Sequence, residues 1–368
     1  MRIDRLFRFP FKGLPAEAIT SAQVEKNAGL TGDRIAAFSN GSSEVLDGQW
    51  QSCSNFTILK NDKSLQKWSV SSQPPFITVS APFEQAEALT FDATSDAGRA
   101  EANKYFSEYL PAQGKFEREV VTAGSGMFDS QYSGLSFINP NTVKALSSAA
   151  GVELDPLRYR GNVLLADVPA FEEFSLIGKV VRIGAVRVAI TKSIGRCTAT
   201  SVNPQTTEVD VNGLKLLTAH FGHTHCGVYG TVLNEGQLDA GMQIRLEADH
   251  AEAQELVPRK RTPRFVEVLN STRNADGSLL LTLHDSLGWL DEDESGTALR
   301  LHFPQPRWAN YAISAVDGQT MSILVEAADE NLQYLEALEA GGRVLASGPQ
   351  GGSSTAKALR RESASSKS

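Results

Sequence analysis

The 368-residue sequence predicts a β-rich α+β protein: a strand-dominated barrel domain with flanking helices over residues 1–255, then a smaller all-β barrel over residues 265–350. Three observations carry this expectation. Alternating apolar positions outnumber helical patterns along the chain. The length exceeds what one ordinary hydrophobic core holds. Between two strand-rich stretches, Val257-Pro258-Arg259-Lys260-Arg261-Thr262-Pro263-Arg264 concentrates proline and positive charge, the composition of a linker (256–264).

In chain order, the first helical pattern runs through Ala100–Leu110, where Tyr105, Phe106, Tyr109 and Leu110 fall at helical spacing. A second helix is predicted from Thr142 to Ala150, with Asn141 as N-cap and Gly151 as stop. Val186, Val188 and Ile190 share one face of a strand that follows a polar turn at Arg182 to Arg187. Past the linker, short strands are predicted at Phe265–Asn270, Leu279–His284, Ala298–Phe303 and Met321–Glu326. Residues 351–368 are rich in Ser, Ala and Lys and poor in large apolar side chains, so a disordered tail is expected there. No tandem repeat is visible.

Composition excludes several function classes. The apolar fraction of 41% and charged fraction of 21% are globular values, and no apolar run long enough to span a bilayer occurs. The start, Met1-Arg2-Ile3-Asp4-Arg5-Leu6, lacks a secretory signal's apolar core, so a cytoplasmic location away from membranes is expected. Three cysteines, Cys53, Cys197 and Cys226, cannot form a disulfide framework. A formal net charge of −8, from 35 basic and 43 acidic residues, argues against nucleic acid as a general partner.

The stretch richest in chemistry is Ser193-Ile194-Gly195-Arg196-Cys197-Thr198-Ala199-Thr200. Apolar alternation ends there in a Gly-Arg-Cys turn, which sets a thiol beside a permanent cation and free backbone N–H groups and so favours thiolate. Soft thiolate is also the ligand a molybdenum centre accepts. Buried packing is the alternative role of a lone cysteine.

At this point the sequence resembles the MOSC (molybdenum cofactor sulfurase C-terminal) family of bacterial cytoplasmic proteins. Phe9-Pro10-Phe11-Lys12-Gly13-Leu14 is similar to the family's opening Tyr-Pro-Val-Lys-(Gly/Ser) motif, and Gly29-Leu30-Thr31-Gly32-Asp33-Arg34 to the Gly-Leu-x-Gly-Asp-Arg that follows. Leu157-Arg158-Tyr159-Arg160-Gly161-Asn162 resembles the Arg-Phe-Arg-Pro-Asn segment, and Phe171-Glu172-Glu173-Phe174 the acidic-aromatic motif. Arg196-Cys197, Gly222-His223-Thr224-His225-Cys226-Gly227-Val228-Tyr229 and Gly236…Gly241 complete the order over roughly residues 1–248. The resemblance implies a MOSC-type β-barrel that binds the molybdenum cofactor (molybdopterin), with Cys197 as catalytic residue and metal ligand. It also implies Lys12, Gly13, Arg34, Arg160, Asn162 and Arg196 as cofactor-binding residues. Their chemistry suits a phosphate, since arginine offers a fork of donors, lysine a point charge and asparagine an amide; glycine admits close backbone approach. Pairing with surface carboxylates is the alternative role for the cations. The chain departs from the family at Gly161, where proline is preferred, and at Gly195, where relatives can have serine.

His220, His223, His225 and Cys226 lack the separated ligand pairs of a structural zinc site; His223 and Cys226 are candidates for pocket lining near Cys197. Cys53 has no partner at motif spacing. The C-terminal part resembles the flavin-binding barrel of ferredoxin–NADP reductase-type proteins, through segments such as Arg264–Val268 and Asn310-Tyr311-Ala312-Ile313-Ser314. Ala309 and Ala312 stand where that family's Arg-x-Tyr-(Ser/Thr) motif has its arginine and hydroxyl, with Arg307 two residues early. FAD is therefore a doubtful cofactor, and a degenerate docking or structural barrel is expected. Three functions remain. One is a molybdenum-dependent reductase of N-hydroxylated compounds, acting on a small molecule with electrons from a separate flavin or iron–sulfur protein. Another is a sulfur carrier with a persulfide on Cys197. The third is a non-enzymatic cofactor carrier or adaptor.

Overall fold

The computed structural model describes residues 1–41, 50–110, 118–123, 126–130, 134–257, 262–288 and 297–350; the expected tail at 351–368 and residues 258–261 of the expected linker lie outside them. The chain divides into two compact units, one of Met1–Lys215 with Cys226–Leu256, the other of Leu216–His225 with the chain from Val257 onward. Both are strand-rich, as the alternation predicts. No described helix is long and apolar enough to cross a membrane.

An eight-stranded sheet organises the first unit, in the order Ile244–Leu246, Val180–Ile183, Val186–Gly195, His225–Val232, Leu135–Ile138, Val163–Ala166, Arg2–Arg8 and Glu17–Ile19. Val180–Ile183 and Val186–Gly195 form a hairpin in which Arg182 faces Arg187, so both arginines flank the turn at Gly184 that replaces the expected longer polar turn. A three-stranded sheet, Phe56–Thr57, Ala36–Ser39 and Glu119–Thr122, lies within the same unit. Its aromatic cluster fixes the start of the site: Phe11 packs on Phe38 at 4.5 Å between centroids, and Phe38 meets Phe106 edge-on at 4.7 Å. Phe106 belongs to the helix Asp96–Tyr109, which buries Gly98, Ala102 and Phe106 at i, i+4 and i+8. It begins four residues earlier than expected because the Ser95 hydroxyl accepts from the Gly98 N–H as an N-cap. The second helix, Pro140–Ala150, is capped by Asn139 instead of Asn141, with Pro140 in the first turn where it needs no N–H partner; Gly151 ends it at φ 69°.

In the second unit, Arg264–Arg273, Leu279–His284, Thr320–Val325, Trp308–Asp317, Ala298–His302 and Arg343–Gln350 close into a six-stranded barrel, the smaller all-β barrel expected. Leu279, Leu281 and Leu283 alternate inward against Val266, Val268, Ile323 and Val325. Arg264 and Asp285 form a buried ion pair, with Nε to Oδ2 at 2.8 Å, and Arg264 Nη1 also donates to the Gly348 carbonyl. The segment Leu216–His225 joins this unit through His302, whose Nδ1–H donates to the Phe221 carbonyl at 2.8 Å while Nε2 accepts from the Ser347 hydroxyl at 2.9 Å. Arg300 Nη1 donates to the Gly222 carbonyl at 2.6 Å, and the His223 ring meets His302 at 5.0 Å.

Burial, aided by nearby Arg300 and His225, presses His302 down to about 3, and burial also lowers His223 well below the ordinary imidazole value. Both folded-state values lie below the unfolded value near 6.5, so the fold holds the neutral rings. The stabilisation is complete above pH ~6.5 and is lost as pH falls from there through the folded values. Melting temperature is expected to drop between pH 7.5 and pH 5, with a shallower acid limb in His302→Asn. Superimposable profiles for the two proteins would contradict this role for His302.

Candidate functional site

Lys12 is the first element of the site. The chain turns after Phe11, with the Leu14 N–H donating to the Phe11 carbonyl, and Gly13 takes φ 93°; a Cβ there would lie 3.3 Å from the Thr57 carbonyl oxygen. Glycine thus makes the turn, and the turn buries Lys12 to 3% exposure. Its ammonium donates to the Met127 carbonyl at 2.7 Å and pairs with Asp129. Burial raises the Asp129 carboxyl, but Lys12, Arg34 and Arg160 outweigh it and hold the group at about 2.

Two arginines share the Phe9 ring, the Arg34 guanidinium 4.6 Å and the Arg160 guanidinium 4.4 Å from its centroid. Both residues adopt left-handed backbone, at φ 53° and 48°, a conformation uncommon outside glycine. Backbone bonds hold Arg34 there: its N–H donates to the Phe9 carbonyl and its own carbonyl accepts from Met127. The Arg34 side chain pairs with Asp33 and donates to the Arg160 carbonyl at 3.0 Å, and Asp33 in turn accepts the Phe9 N–H at 2.7 Å. Arg160 differs. Among the described residues its guanidinium forms no ion pair, and burial beside Arg34 presses it down to about 9, still protonated at neutral pH. A cation held this way is stabilised by an incoming anion.

Cys197 follows the long strand Val186–Gly195 and opens the short turn Thr198–Ser201. Its thiol is exposed, and its charge would be felt at both Arg160 and Tyr229. Arg196 beside it is a framework residue: Nε donates to the Cys226 carbonyl at 2.8 Å, Nη2 to the same oxygen, and Nη1 to the Tyr159 carbonyl at 2.8 Å. The Arg-Cys pair therefore anchors the turn through arginine and presents it through cysteine. Tyr229, on His225–Val232, is half-buried, has Lys192 Nζ 5.4 Å from its ring centroid, and is pushed up to about 12, chiefly by burial and then by Asp129.

Other sequence candidates are spent on the framework. Asn162 is fully buried; its Oδ1 accepts from the Ser136 hydroxyl at 2.7 Å and its Nδ2 donates to the Phe7 carbonyl at 3.2 Å, tying three neighbouring strands together. Gly161 before it has a steric cause: a Cβ would stand 2.2 Å from Ile138 Cγ1, which explains the departure from proline. Cys226 is fully buried and burial pushes its thiol up to about 12, so it packs. His223 is buried in the second unit, its Nδ1 accepting from the His225 N–H at 3.1 Å. Glu173 is fully buried and receives Asn139 Nδ2 at 2.9 Å and the Thr142 hydroxyl at 2.8 Å. No group of metal-ligating residues forms among the described residues. In the barrel, the Tyr311 hydroxyl is taken up by Asp329 and Asn331, and Arg307 lies 3.9 Å from Glu330.

The structure thus brings Lys12, Arg34, Arg160 and Cys197 into one charged neighbourhood, with Asp129 and Tyr229 as members that sequence reasoning did not assign. Asp129 lies 117 positions from Lys12 and carries no motif. Tyr229 closes the motif beginning at Gly222, which was the available signal. Arg160, with the paired Arg34 and Lys12 beside it, can attract an anion, and an exposed thiol can bind soft metal or sulfur.

Residues 128–245 match the family model described as MOSC domain. No curated protein matches the chain. Among solved structures it is similar to YiiM from Geobacillus stearothermophilus, at 16% identity over 34% of this chain and 59% of that one, with a TM-score of 0.27. It is similar also to the YUAD protein from Bacillus subtilis, at 12% identity over 66% of this chain and 93% of that one, with a TM-score of 0.34. A third likeness is to the Amycolatopsis cytochrome P450 reductase GcoB, at 16% identity over 49% and 48% of the two chains, with a TM-score of 0.22. The chain spans less than two thirds of YiiM and about half of GcoB.

Proposed function

Since the chain carries a MOSC domain at residues 128–245, we propose that the protein binds a molybdenum cofactor and reduces N-hydroxylated compounds with electrons from a separate flavin or iron–sulfur protein. The observation that carries this reading is the Arg160 guanidinium, held against Phe9 beside Arg34 with no ion-pair partner among the described residues and within electrostatic reach of the exposed Cys197. This donor set fits the group: Arg160, Arg34 and Lys12 would hold its phosphate, and Cys197 thiolate would bind the metal. When bound, the cofactor supplies the two-electron chemistry that takes oxygen from an N–O substrate.

The chain's own residues do the rest. Asp33 and Asp129 neutralise two of the three cations, leaving net attraction for an anion near that of Arg160 alone. The Arg196 contacts to two carbonyls keep the cysteine turn in place. Tyr229 keeps its phenolic proton at neutral pH. The test uses chemically reduced methyl viologen as electron donor and benzamidoxime as substrate: molybdenum-containing protein is expected to form benzamidine. Absence of benzamidine with that protein would overturn the reductase reading.

The exposure of Cys197 favours one second reading, a persulfide carrier. It predicts a mass increase of one sulfur atom on the Cys197 peptide after incubation with a persulfide donor, in protein without molybdenum.

A further inference from the structure

A groove of about 350 Å³ starts one residue past Cys197. Leu59, Val202 and Val209 form its apolar walls, with Val209 60% exposed, and Lys60 and Lys63 stand at its lining. Both walls are held rigid by bonds unrelated to any ligand. On one side, Asp62 caps the turn Lys63–Lys67 by accepting from the Ser64 N–H at 3.0 Å and is itself paired with Arg118 at 2.7 Å. On the other, Asn203 Oδ1 accepts from the Gln205 N–H at 2.9 Å, Val202 bridges Val209, and buried Arg158 pairs with Asp210 at 2.6 Å. Two contacts span the walls, Lys63 to Glu208 at 2.6 Å and Gln66 Nε2 to the Pro204 carbonyl at 3.3 Å. Such a groove is pre-formed, and its binding cost in lost flexibility is small.

Its charge is one-sided. Glu208 balances Lys63, while Lys60 has no carboxylate partner among the described residues, so the lining keeps one net positive charge. We propose that this groove is the substrate subsite of the reaction at Cys197, and that it selects N–O compounds carrying an anionic group on an apolar body. The proposal rests on the reductase reading for the reaction itself, but not for binding. The apolar walls take the flat or branched body by excluding water, and Lys60 takes the anion. A neutral substrate gains only the first of these.

The test is isothermal titration calorimetry of the purified full chain with 4-carboxybenzamidoxime and with neutral benzamidoxime. The carboxylate is expected to bind about tenfold more tightly at low ionic strength, the size of one partly screened charge contact, and the preference is expected to shrink as salt is added. In the Lys60→Ala protein, which keeps the Lys63–Glu208 contact across the groove, the two compounds are expected to bind equally, with the neutral one unchanged. Arg160→Ala is expected to leave the preference intact. Equal binding to the native chain would overturn the proposal. So would a preference that survives loss of Lys60 and disappears in Arg160→Ala, because the anion would then sit on the arginines. The titration reads the groove whether or not molybdenum is present: selective binding by protein that turns over no N–O compound keeps the subsite and removes only the reductase reading.

Discussion

Cys197→Ser is expected to lower N–O reduction by at least about a thousandfold, the scale of losing a group that touches the reacting centre, while leaving the fold unchanged. The physical reason is the separation of roles within the Arg196-Cys197 pair. Arg196 holds the turn through the Cys226 and Tyr159 carbonyls, and the Cys197 thiol is exposed, so its packing contribution is small. A surface substitution of this kind shifts stability by about 0.5 kcal/mol or less. Serine preserves size but replaces a soft sulfur ligand with a hard hydroxyl oxygen. Activity, melting temperature and metal content are to be measured on the same preparation. Serine protein with activity comparable to the native chain would remove Cys197 from the chemistry.

Arg160→Ala is expected to weaken retention of the cofactor by about one to two decades, since a charge-assisted contact contributes roughly 1.5–3 kcal/mol. The same substitution is expected to leave the cofactor-free protein as stable as the native chain or slightly more so. Arg160 stands with Arg34 on one phenyl ring, and no described carboxylate pairs with it, so removing it relieves repulsion instead of breaking a bridge. Opposite signs for binding and stability mark a residue placed for a ligand. Arg34→Ala provides the contrast: it strands buried Asp33 and is expected to destabilise the fold with or without cofactor. An Arg160→Ala protein that loses stability and retains the cofactor would show that Arg160 serves the framework.

Much of the architecture was legible because it is local. The leucines of Leu279–His284 alternate with period two, and the helix Pro140–Ala150 carries both its cap and its stop within thirteen residues. Even there the cap moved from Asn141 to Asn139, because either asparagine can accept an N–H and only the position of Pro140 decides between them. The site was legible in its cations and its thiol but not in how they divide the work. An asparagine amide suits a pterin and a buried strand junction equally well, and only the enclosure by Ser136 and Phe7 assigns Asn162 to the junction. The Lys12–Asp129 pair depends on chain reversal across more than a hundred residues, which no local pattern records. Nor does local pattern place Leu216–His225 with the barrel, since that depends on carbonyls meeting Arg300 and His302.

The most direct measurement is molybdenum per chain in freshly purified protein, by inductively coupled plasma mass spectrometry, for the native chain and for Arg160→Ala after identical washing. About one molybdenum per native chain is expected, with a clear loss in the variant. Metal-free native protein that still reduces benzamidoxime, or equal molybdenum in both proteins, would contradict that expectation.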